Sequence, residues 1–550
     1  FPNRNCLTVF EADRITLTYR ETLAAIKKLA GWLIAHGVKK GTHIAVSGKN
    51  SSEWAIAYLS ALYAGCIVIP IDYGLHDYEI TSLLKTAKPL FFFVDEEKYE
   101  YFFEQAKTQS FIGEVYSLSG KYTDRYIYNL EAEPLATYFP LRETDTAAIL
   151  FTSGTMGNPK GVMLSHRNIV SDCYIAQSNL TIFETDVFYA LLPLHHSYTM
   201  VAVFIEAISV GAEIVFGKSI AVSRMLRELK EGKITMLLGV PLLFNKLLAG
   251  ILKGIRSKGL LVYGIIRLLM GISYLVKKTT GKNIGKTLFK SVLAKANLTT
   301  LRIAISGGGP LSKEVFRAYN EFGIDFVQGY GLTETSPIIA LNPKEHFKIE
   351  SVGRYFHPYM EMKILDPDEN GRGEICAKGP MIMQGYYNMP EETAEVLSEE
   401  SGITYSGYEA GAQALSAFLS QKGDNAVVHI SEGDYGHYIS LRANGDNTAT
   451  IGDAGLVLKV DKDKLAETLK EKYGWSSGAV LFSKRIAVSG ARLMSAKELS
   501  AVKGAGNNNY FSEYLKSVSD LQDRIDRYYP QIQNSAALAE ILIQIYWHED

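Results

Sequence analysis

The sequence predicts an α/β protein: doubly wound, mostly parallel sheets with a small β subdomain, followed by a separate α+β module. Two patterns carry the first part of that expectation. Short apolar runs alternate with segments of helical periodicity from the N-terminus to about residue 340, as in parallel sheets crossed over by helices. Strings rich in glycine and hydroxyls follow three of those runs, at 152–161, 306–309 and 328–336. Ligands of open α/β sheets sit beyond the carboxyl ends of strands, so the three strings are expected to share one crevice. A third pattern sets the tail apart: after about residue 400, Asn, Ser, Ala and Gly rise and cysteine vanishes.

Taken in order, Leu17-Thr18-Tyr19 reads as a short strand, and Tyr19 to His36 carries helical spacing ended by Gly37. His43 to Val46 is a strand, Ser51 caps a helix running to Tyr63, and Cys66 to Ile71 and Leu90 to Val94 are buried strands. After the first glycine-rich string come a strand at Phe188 to Leu192, a helix at Thr199 to Val210, and strands at Glu213 to Phe216 and Ile234 to Leu238. Leu301 to Ile305 and Ile324 to Val327 are the strands that lead into the other two strings. Short strands joined by turns are read over 350–385. The boundaries that follow are 1–145 and 146–345 for two α/β subdomains, the second with an insert at 248–296, then 346–397 for the β subdomain and 398–550 for the tail.

A chain of 550 residues should hold roughly three or four domain-sized units. At 47% hydrophobic and 21% charged it has the composition of a soluble globular protein, and a net charge of -2 gives no global field that would attract nucleic acid. Cys6, Cys66, Cys173 and Cys376 are far apart, without metal-ligand spacing, so reduced thiols and a cytoplasmic location are expected. No signal peptide is read in the residues present, which start at Phe1.

The charge distribution is less even than its total. No acidic residue stands between Glu231 and Glu314, while Lys253, Arg256, Lys258, Arg267, Lys277, Lys278 and Lys282 interleave with apolar clusters. Gly259 to Val276 is long enough to suggest a membrane span, but Arg267 near its centre would be costly in mid-bilayer. A segment lying on the inner, anionic face of a membrane is the expectation for 248–296, beside the plainer reading of a buried helix with a solvated basic face.

Two strings carry the chemistry. In Thr152-Ser153-Gly154-Thr155-Met156-Gly157-Asn158-Pro159-Lys160-Gly161, the glycines let backbone amides approach oxygens that a Cβ would hold off. Thr152, Ser153 and Thr155 add donors and Lys160 a positive charge, which together suit a polyanion. The string is not GxxxxGK[ST], because Gly161 follows Lys160. In Gln328-Gly329-Tyr330-Gly331-Leu332-Thr333-Glu334-Thr335, the tyrosine flanked by Gly329 and Gly331 can lay its ring on a flat base. Thr333 can donate to phosphate, and Glu334 is a hard oxygen ligand suited to Mg²⁺.

Residues from about 10 to about 397 resemble the adenylate-forming (acyl- and aryl-CoA synthetase) superfamily, and the basic apolar insert points to its long-chain fatty acid branch. Leu192-Pro193-Leu194-His195-His196, Ser306-Gly307-Gly308-Gly309-Pro310 and Gly385-Tyr386-Tyr387 agree with it. The resemblance implies that Ser153, Gly154, Thr155, Gly157 and Lys160 hold the outer phosphates of ATP. It places Gly307, Gly308 and Tyr330 at adenine, and His196 near the reacting carboxylate. Thr333 and Glu334 would serve the α-phosphate and Mg²⁺, with Thr155 as a further metal contact. Catalytic roles are thus implied for His196, Thr333, Glu334 and Lys160, with ATP, a fatty acid and CoA as substrates.

The tail departs from that pattern. The superfamily continues with a Thr-Gly-Asp motif, a hinge and a small domain bearing a lysine, and none of these is recognised after Leu397; Ile451-Gly452-Asp453 comes too late. Impaired turnover is expected from that loss of charge stabilisation. Gly411 to Leu419 reads as a helix, and Ala426 to Ile430 with His437 to Leu441 as a hairpin. The order weakly resembles papain-like cysteine protease effectors, with His437 and Asp453 in two roles and Ala412 where a nucleophile would stand. Two rival readings therefore remain beside the ligase: a non-catalytic nucleotide-binding scaffold, and a fusion to an inactive protease-type module.

Overall fold

The structure, a computed structural model, describes residues 1–152, 159–219, 221–344, 347–365, 367–369, 371–397, 406–411, 425–432, 435–443, 447–453, 456–473, 477–482 and 491–493. Contacts divide them into two units that part between Thr393 and Ala394, where the sequence placed the boundary at 397/398.

Among the described residues of the first unit are the strands β1 (Asn5–Phe10), β2 (Arg14–Thr18), β3 (His43–Ser47), β4 (Ile67–Ile71), β5 (Phe91–Val94), β6 (Glu114–Ser117), β7 (Thr146–Thr152), β8 (Lys160–Ser165), β9 (Val187–Ala190), β10 (Glu213–Phe216), β11 (Met236–Gly239), β12 (Ile303–Ser306), β13 (Asp325–Tyr330), β14 (Ala340–Leu341), β15 (Arg354–Tyr355), β16 (Glu361–Leu365), β17 (Glu374–Lys378) and β18 (Gly385–Tyr386). One sheet has the order β15-β14-β13-β12-β11-β9-β10-β1-β2, the other β18-β8-β7-β4-β3-β5-β6, and β16-β17 stand as a pair. From β13 to β1 every pairing in the first sheet is parallel, as is every pairing from β7 to β6 in the second. The expected doubly wound, mostly parallel sheets are therefore present. Their central strands are apolar throughout because both faces are covered: β5, β11 and β12 are buried along their whole length.

The division expected at 145/146 does not match the sheets. β1 and β2 join the sheet otherwise made from residues after 186, and β7 and β8 join the sheet whose other strands, β18 apart, come from residues before 118. The physical reason is that strand partners are chosen by distant surfaces, not by neighbours in sequence: Leu7 pairs with Ile214, and Val68 with Ala148. The β subdomain expected over 346–397 is likewise reduced to β16 and β17. β15 extends the first sheet, and β18 pairs with β8 in the second.

The connecting helices are α1 (Tyr19–Ala35), α2 (Ser52–Tyr63), α3 (Asp77–Ala87), α4 (Glu96–Ala106), α5 (His166–Asn179), α6 (Ser197–Thr199), α7 (Glu206–Val210), α8 (Val222–Glu231), α9 (Pro241–Arg256), α10 (Leu260–Thr280), α11 (Gly285–Leu288), α12 (Lys290–Lys295), α13 (Lys313–Glu321) and α14 (Pro390–Leu397). A π-helical stretch, Met200–Ile205, makes α6 and α7 one continuous helix, Ser197–Val210. Helix starts follow local chemistry. Thr18 and Glu21 close a reciprocal cap at α1, Ser51 caps α2, and Ser165 with Asn168 caps α5.

Helices α9 to α12 form the insert. α10 is long and apolar enough to cross a membrane by length and composition alone, the single such helix among the described residues. One of its faces is committed to protein, with Met270, Ser273, Tyr274 and Lys277 buried. Lys277 Nζ donates to Asn320 Oδ1 and Asp325 Oδ1, both at 2.8 Å, which ties the end of α10 to α13 and β13. Arg267 lies 3.9 Å from buried Glu321. The opposite face presents Leu261, Ile265, Leu268, Ile272 and Leu275 to solvent at helical spacing, with Leu261 79% and Leu268 67% exposed.

In the second unit a seven-stranded antiparallel sheet runs in the order 456–461, 448–453, 435–443, 425–432, 477–482, 406–411, 491–493, joined by the helix Leu465–Tyr473. The expected hairpin pairs Ile430 with His437. Gly411 belongs to the strand 406–411, which pairs with both 477–482 and 491–493, and the rest of the helix expected over Gly411 to Leu419 lies outside the described residues. Ala412 lies outside the described residues.

Removing a buried charge that answers another leaves the partner unpaired, at a cost of ~3 kcal/mol. Lys277→Ala is therefore expected to destabilise the first unit by about that amount in denaturant melts. Unchanged stability would mean that α10 is not anchored through this lysine.

Candidate functional site

The site is built where the two sheets meet at the carboxyl ends of their strands. Asn50, just past β3 and 5% exposed, makes the central tie. Its Nδ2 donates to Ala190 O and Leu192 O, both at 2.8 Å, and its Oδ1 accepts from Leu194 N at 3.0 Å. A side chain from the second sheet thus fixes the backbone leaving β9 of the first, and with it the turn that carries His195 and His196.

His195 is buried, its Nε2 3.1 Å from His196 Nε2 and 3.5 Å from Asp72 Oδ2 beyond β4. Burial and the neighbouring His196 push His195 down to about 4 despite Asp72, and desolvation lowers His196 as well, although its ring edge is open to solvent. Ser197 then starts α6, and its Oγ donates to Thr333 Oγ1 at 3.2 Å. Tyr198 reaches back to Ile305 O at 3.1 Å. The Tyr198 ring lies under Gly307, where an added Cβ would stand 3.0 Å from Cζ. Gly308 takes φ +72°, a left-handed conformation that favours glycine, and a Cβ there would make only ordinary contact with Val240 at 3.7 Å.

The turn after β13 is shaped by its own residues. Thr335 Oγ1 accepts from Leu332 N at 2.9 Å and donates to Pro337 O at 2.9 Å. A Cβ on Gly331 would fall 1.7 Å from Pro337 O, so only glycine passes there. Gly329 packs on Ile338, and Tyr330, Thr333 and Glu334 are half-buried. Asp172 of α5 accepts from Ile338 N at 3.1 Å and braces this turn from behind.

Glu334 meets the remaining string through a residue whose role the sequence did not announce. Tyr386 donates its hydroxyl to Glu334 Oε1 at 2.9 Å, and Lys160 Nζ lies 4.7 Å from the centroid of the Tyr386 ring. Glu334 O accepts from Met383 N at 2.9 Å. Thr152 and Lys160 face each other across the mouth of the β7–β8 hairpin, with Thr152 Oγ1 donating to Lys160 O at 3.4 Å. The two ends of the string are therefore on paired antiparallel strands, and α5 begins only after β8. Ser153, Gly154, Thr155 and Gly157, which were expected to contact phosphates, lie outside the described residues.

Of the expected site residues, Lys160, Glu334, Thr333, Gly307 and the His195-His196 turn are linked by the contacts just given. Asn50, Tyr386 and Asp72 belong to the same surroundings and were missed as functional positions. The fit to Mg²⁺ rests on Glu334: Tyr386 holds one carboxylate oxygen and a second remains to offer. Among the described residues no group of three or more His, Cys, Asp or Glu could hold a metal ion. A lone carboxylate fits Mg²⁺ carried largely on phosphate oxygens, not a dedicated protein cage.

A family model described as AMP-binding enzyme matches residues 1–387. The peroxisomal long chain acyl-CoA synthetase 6 of Arabidopsis thaliana is 28% identical over 418 residues, covering 70% of this chain and 59% of that protein. The luciferin 4-monooxygenase of Photinus pyralis is 28% identical over 418 residues, covering 72% of this chain and 68% of that protein. Among solved structures, apo MatB from Rhodopseudomonas palustris matches with a TM-score of 0.57 at 21% identity, over 86% of this chain and 91% of that one, a likeness of fold alone. The chain spans about three-fifths of the length of several of these curated relatives.

Two predictions follow from the geometry. Gly331→Ala forces a backbone clash and should cost ~2 kcal/mol or more, whereas Gly308→Ala meets only the strain of its positive φ, about 1 kcal/mol. Thermal melts that rank them the other way would contradict this turn. His195 is held neutral down to about 4, while the unfolded chain protonates near ~6.5. Its folded pKa is depressed, so it removes stability as pH falls between those values. The stability of the parent relative to His195→Asn should therefore shrink as melts are moved from pH 7 to pH 4, and a constant difference would refute the assignment.

Proposed function

The chain belongs to the AMP-binding enzyme family, and from that premise we propose that it activates a long-chain fatty acid with ATP, forming acyl-AMP and then acyl-CoA. The observation that carries this reading is the Lys160–Tyr386–Glu334 bridge, which sets a cation from one sheet's hairpin beside a carboxylate from the other sheet's turn. In the first step a carboxylate oxygen bonds to the α-phosphorus of ATP in line, and pyrophosphate leaves. In the second the CoA thiolate bonds to the acyl carbon of that mixed anhydride, and AMP leaves.

Each residue has a part in that reading. Lys160, with Ser153 and Thr155 of the same string, offsets charge on the β- and γ-phosphates. Thr333, positioned by Ser197, donates to the α-phosphate where negative charge accumulates. Tyr330 lies along adenine, with the Gly307 and Gly308 backbone at its edge. His196, neutral near pH 7, stands at the carboxylate without drawing it into an ion pair. Mg²⁺, when bound, supplies charge neutralisation on the phosphate oxygens, and Glu334 would hold it.

The fatty acid as substrate is supported by relatives named for long-chain acids, though the luciferin 4-monooxygenase and a 4-coumarate–CoA ligase of Humulus lupulus match over similar lengths. The Thr-Gly-Asp motif and the lysine expected after Leu397 are unmatched in the sequence, and Asp453 lies on a strand of the second unit. Turnover is accordingly proposed to be slow, by about 10²–10³ where one such charge-stabilising group is missing. We place the chain in the cytosol, held to the inner face of an anionic membrane through 248–296. The exposed apolar face of α10 and the absence of acidic residues from 232 to 313 support this placement.

ATP–pyrophosphate exchange across a panel of carboxylic acids is expected to be strongest with long-chain acids, and to fall at least ~100-fold in Lys160→Ala. ATP binding without exchange on any acid would leave only the scaffold reading. Flotation with anionic vesicles should fail for Leu261→Glu with Leu268→Glu. Equal flotation of parent and variant would remove the membrane placement.

A further inference from the structure

Away from the crevice, α8 and the insert line an open cavity of about 270 Å³. Every residue lining it belongs to α8, α9, α10, α12 or the segments beside them, and no strand contributes. Its walls are Leu226, Leu247, Ile251, Ile266 and Val292, and three lysines, Lys246, Lys258 and Lys295, stand among them. Along α9 the wall is cut back by glycine: a Cβ built on Gly250 or Gly254 meets no atom within 4 Å. Both positions are helical and neither has a positive φ, so no backbone constraint calls for glycine there. What the missing side chains provide is room.

The charges at this cavity are one-sided. Lys295 stands close enough to Lys258 to hold that ammonium below its usual value. No acidic residue lies anywhere between Glu231 and Glu314 to answer them. Crowded cations beside an apolar hollow complement a ligand with an anionic head and a hydrocarbon tail. The volume lies just below the ~300–1,000 Å³ of ordinary small-molecule pockets, which suits one alkyl chain in part, not the paired chains of a bilayer lipid.

We propose that this cavity is a second binding site, for a single-chain carboxylate such as a free fatty acid, with the chain between α9, α10 and α12 and the head at Lys258 and Lys295. It is separate from the nucleotide crevice: Pro241 packs near Gly309, and α9 carries the chain from there about 1.5 Å per residue toward Gly254. The proposal does not depend on the ligase reading.

The test is calorimetric titration of the whole chain with laurate below its micellar concentration. Gly250→Leu with Gly254→Leu is expected to remove one laurate per chain relative to the parent, whatever the parent's total. Because leucine favours the helix and the space is open, this variant should melt no lower than the parent, which separates filling from misfolding. Lys258→Gln and Lys295→Gln together, both on exposed side chains, should weaken that same site at least tenfold. Dodecyltrimethylammonium, with the same tail and the opposite charge, should bind the parent at least tenfold more weakly than laurate. Identical stoichiometry in parent and filled variant would overturn the proposal. So would equal binding of the cationic amphiphile, or loss of the site only when phosphatidylserine vesicles replace laurate as the ligand.

Discussion

The crevice depends on one buried amide. Asn50 uses both ends of its side chain on the backbone where β9 ends: the carbonyl of Ala190, which Gly217 N also reaches at 2.9 Å, the carbonyl of Leu192 and the amide of Leu194. Each such bond contributes only ~1 kcal/mol to stability, but an unmet buried group costs more than a bond gains. Only one placement of the β9 exit satisfies all three. The histidine turn, the start of α6 and the contact of Ser197 with Thr333 inherit their positions from it. The bridge from Lys160 through Tyr386 to Glu334 performs the same service on the other side of the crevice, so the two sheets are joined on two sides of the space a substrate would enter.

Much of the fold was legible because it is local. Apolar runs of four or five residues gave β3, β4, β5 and β10 within a residue or two, and Ser51 marked the start of α2. Pairing was not legible. Nothing in Asn5–Phe10 says that its partner is Glu213–Phe216, and β8 was hidden because Lys160-Gly161 reads as the end of a loop. The site divides in the same way. Lys160, Thr333 and Glu334 announce themselves by residue type within a glycine-rich string. Asn50 sits in Lys49-Asn50-Ser51, where it looks like a loop residue ahead of a helix cap, and it acquires its role only across a separation of 140 residues or more. Tyr386 was visible as part of a string but silent about Glu334.

The insert shows a helix serving two environments. α10 faces α13 with Tyr274 and the Lys277 contacts, and turns an apolar stripe outward where a soluble surface would carry charge. Composition alone reads such a helix as a span. Geometry assigns one face to the protein core and leaves the other exposed.

The entry of β1 into the far sheet has a consequence for biosynthesis. β1 and its hairpin partner β2 cover the edge that β10 would otherwise offer. A nascent chain must hold these apolar residues unsatisfied until some two hundred more have left the ribosome, since β1 pairs with Glu213–Phe216. Loss of the first dozen residues would do more than shorten a terminus: it would uncap a parallel sheet and leave a bare ladder of amides and carbonyls open to self-association.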